Sequence, residues 1–396
     1  MVTLQMVWEA QAALRGIIRR TPLESASRLG ENIYIKSENL QLTGAFKIRG
    51  AYNKIRSLTP EEAARGVIAC SAGNHAQGIA LSASKLGIKS VICMPEGAPL
   101  SKVEATRNYG AEVVLVPGVY DDAAREAERL AQEKGYTFAH PFNDPWVIAG
   151  QGTIGLEILE QLPEAEQVVV PIGGGGLISG TALAIKQLKP SCRIIGVQAE
   201  TVASMYASRQ AGQVVTVPDA ATLADGIHVL TPGDLTYQMC QEYVDEIVTV
   251  SEDEIAAAIL ALLEVQKTVA EGAGAAPVAA CMFGKVDPAR KTVCVVSGGN
   301  VDVTTLSRVI TRGLTKTGRL VTITTKLADR SGSLMRLLEV ISSTGANIVR
   351  IHHERETLHS EVGACVVVMV LETRDEAHIR QIQASLREKG YTLLHD

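Results

Sequence analysis

Three valines, Val168-Val169-Val170, lead within a few residues into four consecutive glycines, Gly173–Gly176, after which apolar residues continue at helical spacing from Leu177 to Gln187. Neither a helix nor a packed strand runs through four glycines, so the stretch must be strand, turn, helix. The same order recurs along the first three quarters of the chain. Val67–Cys70 precedes a helical stretch from Asn74 to Leu86, and Ser90–Cys93 precedes one from Leu100 to Tyr109. Val113–Val116 precedes Asp121–Lys134. Short apolar strands punctuated by helices give a parallel sheet covered on both faces, with ligands at the carboxyl ends of the strands. The fold class is therefore α/β, doubly wound.

A chain of 396 residues is long for a single domain, and its 46% hydrophobic and 20% charged content can bury a sizeable core. A formal net charge of -5 leaves no basic excess for phosphates, which excludes a general nucleic-acid binder. The segment from Val168 to Ile185 is almost free of charge, yet the glycines would break a spanning helix, so no membrane partner is expected. The seven scattered cysteines show no CxxC spacing, and Met1–Leu14 has no basic-then-apolar order. Both features lead to an expectation of a cytoplasmic protein with reduced thiols and no signal peptide.

The last quarter has a different rhythm. Leu320–Thr324 reads as a strand and Asp329–Ser333 as a turn. Leu334, Leu337, Leu338 and Ile341 then mark one face of a helix. Ile348–His352 and Cys365–Leu371 read as strands, Thr373–Glu376 has capping-box spacing before a helix carrying Ile379, Ile382 and Leu386, and Tyr391–Leu394 reads as a last strand. The order βαββαβ is ferredoxin-like. Boundaries are expected at 1–312 for the first part (a smaller lobe at about 50–145 within it), 313–319 for a neck and 320–396 for the tail.

Four motifs carry chemistry. Lys47, between Phe46 and Ile48 in Gly44–Gly50, is an amine whose apolar neighbours favour the uncharged form that reacts with an aldehyde. Gly173–Gly176, with Leu177, can turn successive amides and a helix N-terminus toward a phosphate. A dinucleotide fingerprint competes for this turn: no G-x-G-x-x-G register fits, although Glu200 after the next strand imitates a ribose-binding acid. Ser297, heading Ser297-Gly298-Gly299-Asn300, offers a hydroxyl to a heteroaromatic nitrogen, or is simply a tight turn. Ser71-Ala72-Gly73-Asn74-His75 offers backbone donors for a substrate carboxylate, with His75 read as structural. His352-His353-Glu354 lacks a partner histidine four residues on, and His359 lies across a loop, so no metal site is expected.

On these motifs the chain resembles a threonine dehydratase (threonine ammonia-lyase) of the fold-type II enzymes that use pyridoxal 5'-phosphate, over residues 5–312. Its tail is similar to a regulatory ACT domain. The resemblance implies two doubly wound lobes like those of tryptophan synthase β and Lys47 as the lysine that holds the cofactor. It also implies Phe46 on the ring, Asn74 at the ring hydroxyl, Gly173–Leu177 at the phosphate and Ser297 at the pyridine nitrogen. It implies conversion of L-threonine to 2-oxobutanoate and ammonia, and of L-serine to pyruvate, in a homo-oligomer (dimer or tetramer) serving isoleucine biosynthesis or threonine catabolism. Isoleucine, valine or a nucleotide is the expected allosteric partner. Within the family the rival is serine racemase, whose second proton carrier resembles a serine where this chain has Ala72. Glu200 matches one carboxylate of the racemase-type cation site, but Tyr206 stands where a second is expected. A different class of alternative is an amino-acid sensor with a vestigial catalytic part.

Overall fold

The computed structural model describes residues 2–355 and 363–394; His359 lies outside them. The chain divides into two compact units, Met1–Asp302 and Val303–Asp396.

The first unit contains two sheets. The larger runs in the order Leu23–Ser25, Ile33–Ser37, Thr292–Val296, Gln167–Pro171, Arg193–Ala199, Glu246–Val250. Only the first pairing is antiparallel, and it lies at the sheet edge. Its central strands are apolar on both faces, with Val168, Val170, Val293 and Val295 fully buried, because helices cover both sides. The smaller sheet is wholly parallel, in the order Glu112–Val116, Ser90–Pro95, Val67–Cys70, Thr137–Phe138. Thr137–Phe138 and the antiparallel edge strand are too short for a period-two signal, so the sequence did not reveal them.

Two helices, Ile48–Ile55 and Pro145–Gln161, lie on the passages of the chain between the sheets, and small residues let them and the helix Gly176–Leu188 approach closely. A Cβ on Gly150, in Pro145–Gln161, would stand 2.5 Å from the Arg49 carbonyl and 2.7 Å from Gly50 Cα in the helix Ile48–Ile55. A Cβ on Gly180, in Gly176–Leu188, would collide with the Ile148 carbonyl. Beneath this junction lies a buried ionic cluster. Arg49 forks onto Glu38 at 2.8 Å from both Nε and Nη2, and onto Glu157 at 2.7 and 3.0 Å. Lys36 Nζ meets the same Glu157 at 2.5 Å and the Thr21 carbonyl at 2.8 Å.

The second unit begins with the helix Val303–Lys316, which takes up most of the stretch expected as a neck. The tail forms an antiparallel sheet in the order Leu320–Ala328, Ala364–Glu372, Asn347–Glu354, with helices Ser333–Ser343 and Glu376–Glu388. The expected last strand is reduced to a bridge between Thr325 and Leu393, flanked by a bond from Leu394 N to the Thr324 carbonyl at 2.9 Å. The second helix is capped by Asp375, not Thr373: Asp375 accepts from His378 N, while Thr373 donates its hydroxyl to the Gly318 carbonyl at 2.6 Å. Aspartate and threonine both suit a cap, and the tertiary bond to Gly318 decided between them. Among the described residues no helix is long and apolar enough to cross a membrane.

Candidate active site

The Lys47 loop is tied to the turn after the central strand by backbone bonds. Phe46 N donates to the Ser297 carbonyl at 3.0 Å, and Gly299 N donates to the Gly44 carbonyl at 2.9 Å. Ala45 and Gly298 form an isolated bridge between them. Gly44 has φ +69, and a Cβ there would collide with the Asn300 side chain, so this loop takes glycine for two reasons. These ties bring two motifs about 250 residues apart in sequence into direct contact.

Lys47 caps the helix Ile48–Ile55, and its Nζ donates to the Pro141 carbonyl at 3.0 Å. The ammonium lies 5.2 Å from the Phe46 ring centroid. Burial lowers its pKa to about 8, against a smaller opposing pull from Glu271. A much larger fraction of this amine is therefore neutral at pH 7 than of an ordinary lysine, as a nucleophile or base requires.

Ser71–His75 lies after Val67–Cys70 and opens the helix Asn74–Leu86, which packs on Lys47 through Gly78. Ser71 Oγ accepts from Gly73 N at 3.1 Å. Asn74 donates its amide to Glu271 Oε1 and Oε2 at 2.8 and 3.1 Å, and its Oδ1 accepts from Asn300 Nδ2 at 2.8 Å. The His75 ring is buried and bonded to the Ala139 carbonyl at 2.8 Å. Desolvation, then the neighbouring Lys47 charge, push its pKa down to about 3, so it stays neutral. Its side chain is thus engaged within the protein, in keeping with a structural ring in a segment whose backbone offers the donors.

The four glycines sit where the strand Gln167–Pro171 ends and the helix Gly176–Leu188 begins. A Cβ on Gly174 would collide with the Phe142 ring, and one on Gly176 would stand 2.9 Å from Phe142 Cα. Gly175 has φ +95, and its Cβ would meet Met205 and Thr236 at 2.8 Å. Thr236 Oγ1 fixes the Gly174 carbonyl at 2.6 Å. Phe142 follows Pro141, the residue that holds Lys47, so one short loop touches both amine and turn. Its other member, His140, accepts from Asn143 N at 2.8 Å and Phe142 N at 3.2 Å. Leu177 is buried directly after the turn, and Ser297 is 2% exposed at the end of Thr292–Val296.

Glu271 was missed in the sequence. It precedes the helix Gly272–Met282, is 4% exposed, and has its pKa raised to about 7 by burial and then by Asp225. One signal was available: it is the lone charge between Val269 and Met282 in a run of alanines and glycines. Lys102 of the smaller lobe reaches Asp225 of the larger lobe at 3.1 Å, a contact that sequence separation hid altogether.

The cradle fits the phosphate of pyridoxal phosphate, since side chains are excluded at the turn by collision while the helix start supplies amides. The partly neutral Lys47 fits the aldehyde, and the buried hydroxyl of Ser297 suits a ring nitrogen. The model of the family described as "Pyridoxal-phosphate dependent enzyme" matches residues 14–298. An L-threonine ammonia-lyase of Thermotoga maritima is 52% identical over 396 residues, covering 99% of this chain and 98% of that protein. The processed form of threonine deaminase isoform 2 from Solanum lycopersicum superposes with a TM-score of 0.75 at 39% identity, covering 78% of this chain and 92% of that one. Maize serine racemase superposes with a TM-score of 0.74 at 36% identity, covering 80% of this chain and 98% of that one. A chain with this lysine, this glycine turn and these relatives belongs to the pyridoxal-phosphate dependent enzyme family.

Proposed function

We propose that the protein is an L-threonine ammonia-lyase, releasing 2-oxobutanoate and ammonia from L-threonine, and pyruvate from L-serine. The observation that carries this reading is Lys47 Nζ, its pKa lowered to about 8, placed by Pro141 beside the Phe46 ring in a loop tied to Ser297. Full-length 52% identity to an L-threonine ammonia-lyase supports the choice of reaction.

Bound pyridoxal phosphate supplies an electron-withdrawing ring that acidifies the Cα–H of an amino acid joined to its aldehyde. Gly173–Gly176 and Leu177 would hold its phosphate, Phe46 would pack on its ring and Asn74 would serve its ring hydroxyl. Lys47 would hold the aldehyde and, as a partly neutral amine, would take the Cα proton as base. Ser297 would offer the ring nitrogen a hydrogen bond from a neutral hydroxyl, which cannot hold that nitrogen protonated as a carboxylate would and so favours β-elimination over transamination. The backbone of Ser71–His75 receives the substrate carboxylate at a helix N-terminus. Loss of the Cα proton and β-hydroxyl leaves an enamine, and water hydrolyses it to the oxo acid and ammonia.

The likeness to serine racemase favours a second reading on the same scaffold. Ala72 argues against it, because a methyl group cannot return a proton on the face opposite Lys47. A coupled assay for 2-oxobutanoate and pyruvate, with chiral analysis of remaining serine, tests both. Threonine turnover without D-serine supports the lyase; D-serine formation with no 2-oxobutanoate overturns it.

The second unit is proposed as an ACT-like regulatory module, with Asp329–Ser333 receiving isoleucine or valine and with pairing of the modules in a dimer or tetramer. Gly332, at φ +80, caps the helix Ser333–Ser343 there. A cytoplasmic location belongs to the same proposal and is supported by seven free cysteines.

A further inference from the structure

Three side chains of the tail that play no part in the proposed reaction, one of them at the start of the proposed effector turn, converge at one end of its sheet. Asp329 directly follows the strand Leu320–Ala328, and its N–H donates to the Gly363 carbonyl at 2.9 Å. Cys365 lies two residues beyond Gly363 on the central strand, paired with Leu327, and its side chain is 1% exposed. His353 on the edge strand is paired with Val367, so it shares Cys365's face of the sheet on the diagonal. Its Nε2 stands 3.0 Å from Cys365 Sγ. One ligand atom from each of the three residues lies within 4.8 Å of the others.

We infer that the tail binds a zinc-class divalent cation through Cys365 Sγ, His353 Nε2 and an Asp329 carboxylate oxygen, with a fourth position open to solvent or ligand. The donor set argues for this class, since thiolate with imidazole selects borderline-soft ions over calcium or magnesium. Tetrahedral zinc holds such atoms roughly 3.5 Å apart. The Sγ–Nε2 pair is already inside that spacing, and the exposed Asp329 side chain supplies the adjustment. The sulfur is anchored on the central strand, while both other ligands reach solvent, so an ion has an entry path. Binding releases the Cys365 proton to solvent, and affinity therefore rises with pH. Burial and the Asp329 charge both push the free thiol's pKa up, and a cation there reverses the second effect. Arg355 Nε, 3.3 Å from Asp329 Oδ1, is the cation that an ion would displace.

Cobalt(II) titration of the full-length holoenzyme tests this, read by ligand-field bands in the red, away from cofactor absorption, and by equilibrium dialysis. One cobalt per chain with tetrahedral bands is expected. His353→Ala alters an exposed side chain and should weaken binding by about 10-fold or more. Cys365→Ser should abolish the tetrahedral thiolate spectrum, and Arg355→Gln should tighten binding severalfold. Absence of tetrahedral bands in the unaltered protein, or an unchanged spectrum and affinity in His353→Ala, overturns the site even if Cys365→Ser fails to fold.

Discussion

Asn74 holds Glu271 through both carboxylate oxygens, at 2.8 and 3.1 Å, although 197 residues separate them. Asn300 completes the line, donating to Asn74 Oδ1 at 2.8 Å and to the Thr43 carbonyl at 2.7 Å. The amide proposed to serve the cofactor's ring hydroxyl is thus held in place by a buried acid.

That acid makes stability depend on pH. Glu271 holds its proton up to about pH 7 in the native state, against an ordinary 4.5, so the folded chain binds more protons between these values. Its contribution is fully present below pH 4.5, falls as pH rises toward 7, and is lower by about 3 kcal/mol above that. Glu271→Gln removes this slope. Urea denaturation of the cofactor-free chain at about pH 5 and about pH 8 should show the variant gaining relative to the parent only at the higher pH.

Lys47→Ala should reduce ammonia release from threonine by at least about 1,000-fold and abolish fixation of the cofactor by borohydride. Mass spectrometry of the reduced parent should place the adduct on Lys47. Undiminished turnover in the variant would remove the basis of the proposed mechanism.

Gly174→Ala drives a methyl group against the Phe142 ring. Retention of pyridoxal phosphate on dialysis should fall by about 10-fold or more, and the crowding should cost about 1–3 kcal/mol in stability. The Lys47 loop contacts Pro141, beside Phe142, so Lys47 reactivity toward an added aldehyde should change as well.

Arg49→Met leaves Glu38 and Glu157 buried without their shared guanidinium, and should destabilise the fold by about 3–5 kcal/mol. In the parent, Arg49 and then Lys36 hold the Glu157 carboxyl below its usual range against burial, so their stabilisation is present above the ordinary carboxylate pKa and fades as pH falls. The variant's deficit should therefore shrink in acid, which thermal melts across pH would show. Arg49→Lys should recover only part of it, because a point charge cannot fork onto two carboxylates.

A chain ending at Asp302, where the first compact unit ends, tests the proposed regulatory role of the second unit separately from catalysis. Maize serine racemase corresponds to 80% of this chain while 98% of its own length is matched, so a chain without the tail's full length carries this fold elsewhere. The shortened protein should keep threonine turnover and lose any response to isoleucine. An unchanged isoleucine response would place the effector site in the first unit.

The strand-turn-helix units were legible because side-chain period and glycine are local signals: Val67–Cys70 with Asn74–Leu86 lies in the structure where the pattern placed it. Lys47, the glycine turn, Ser297 and Asn74 could be proposed from sequence because each carries its chemistry within a few consecutive residues. Tertiary structure alone decided the rest. It set the Pro141 carbonyl on Lys47 across 94 residues, Glu271 behind Asn74, Arg49 between two buried acids, and His353 against Cys365. The physical reason is that protonation and ligand geometry depend on burial and on neighbours from distant segments. Local order specifies which groups a chain owns; only packing specifies their charge and their partners.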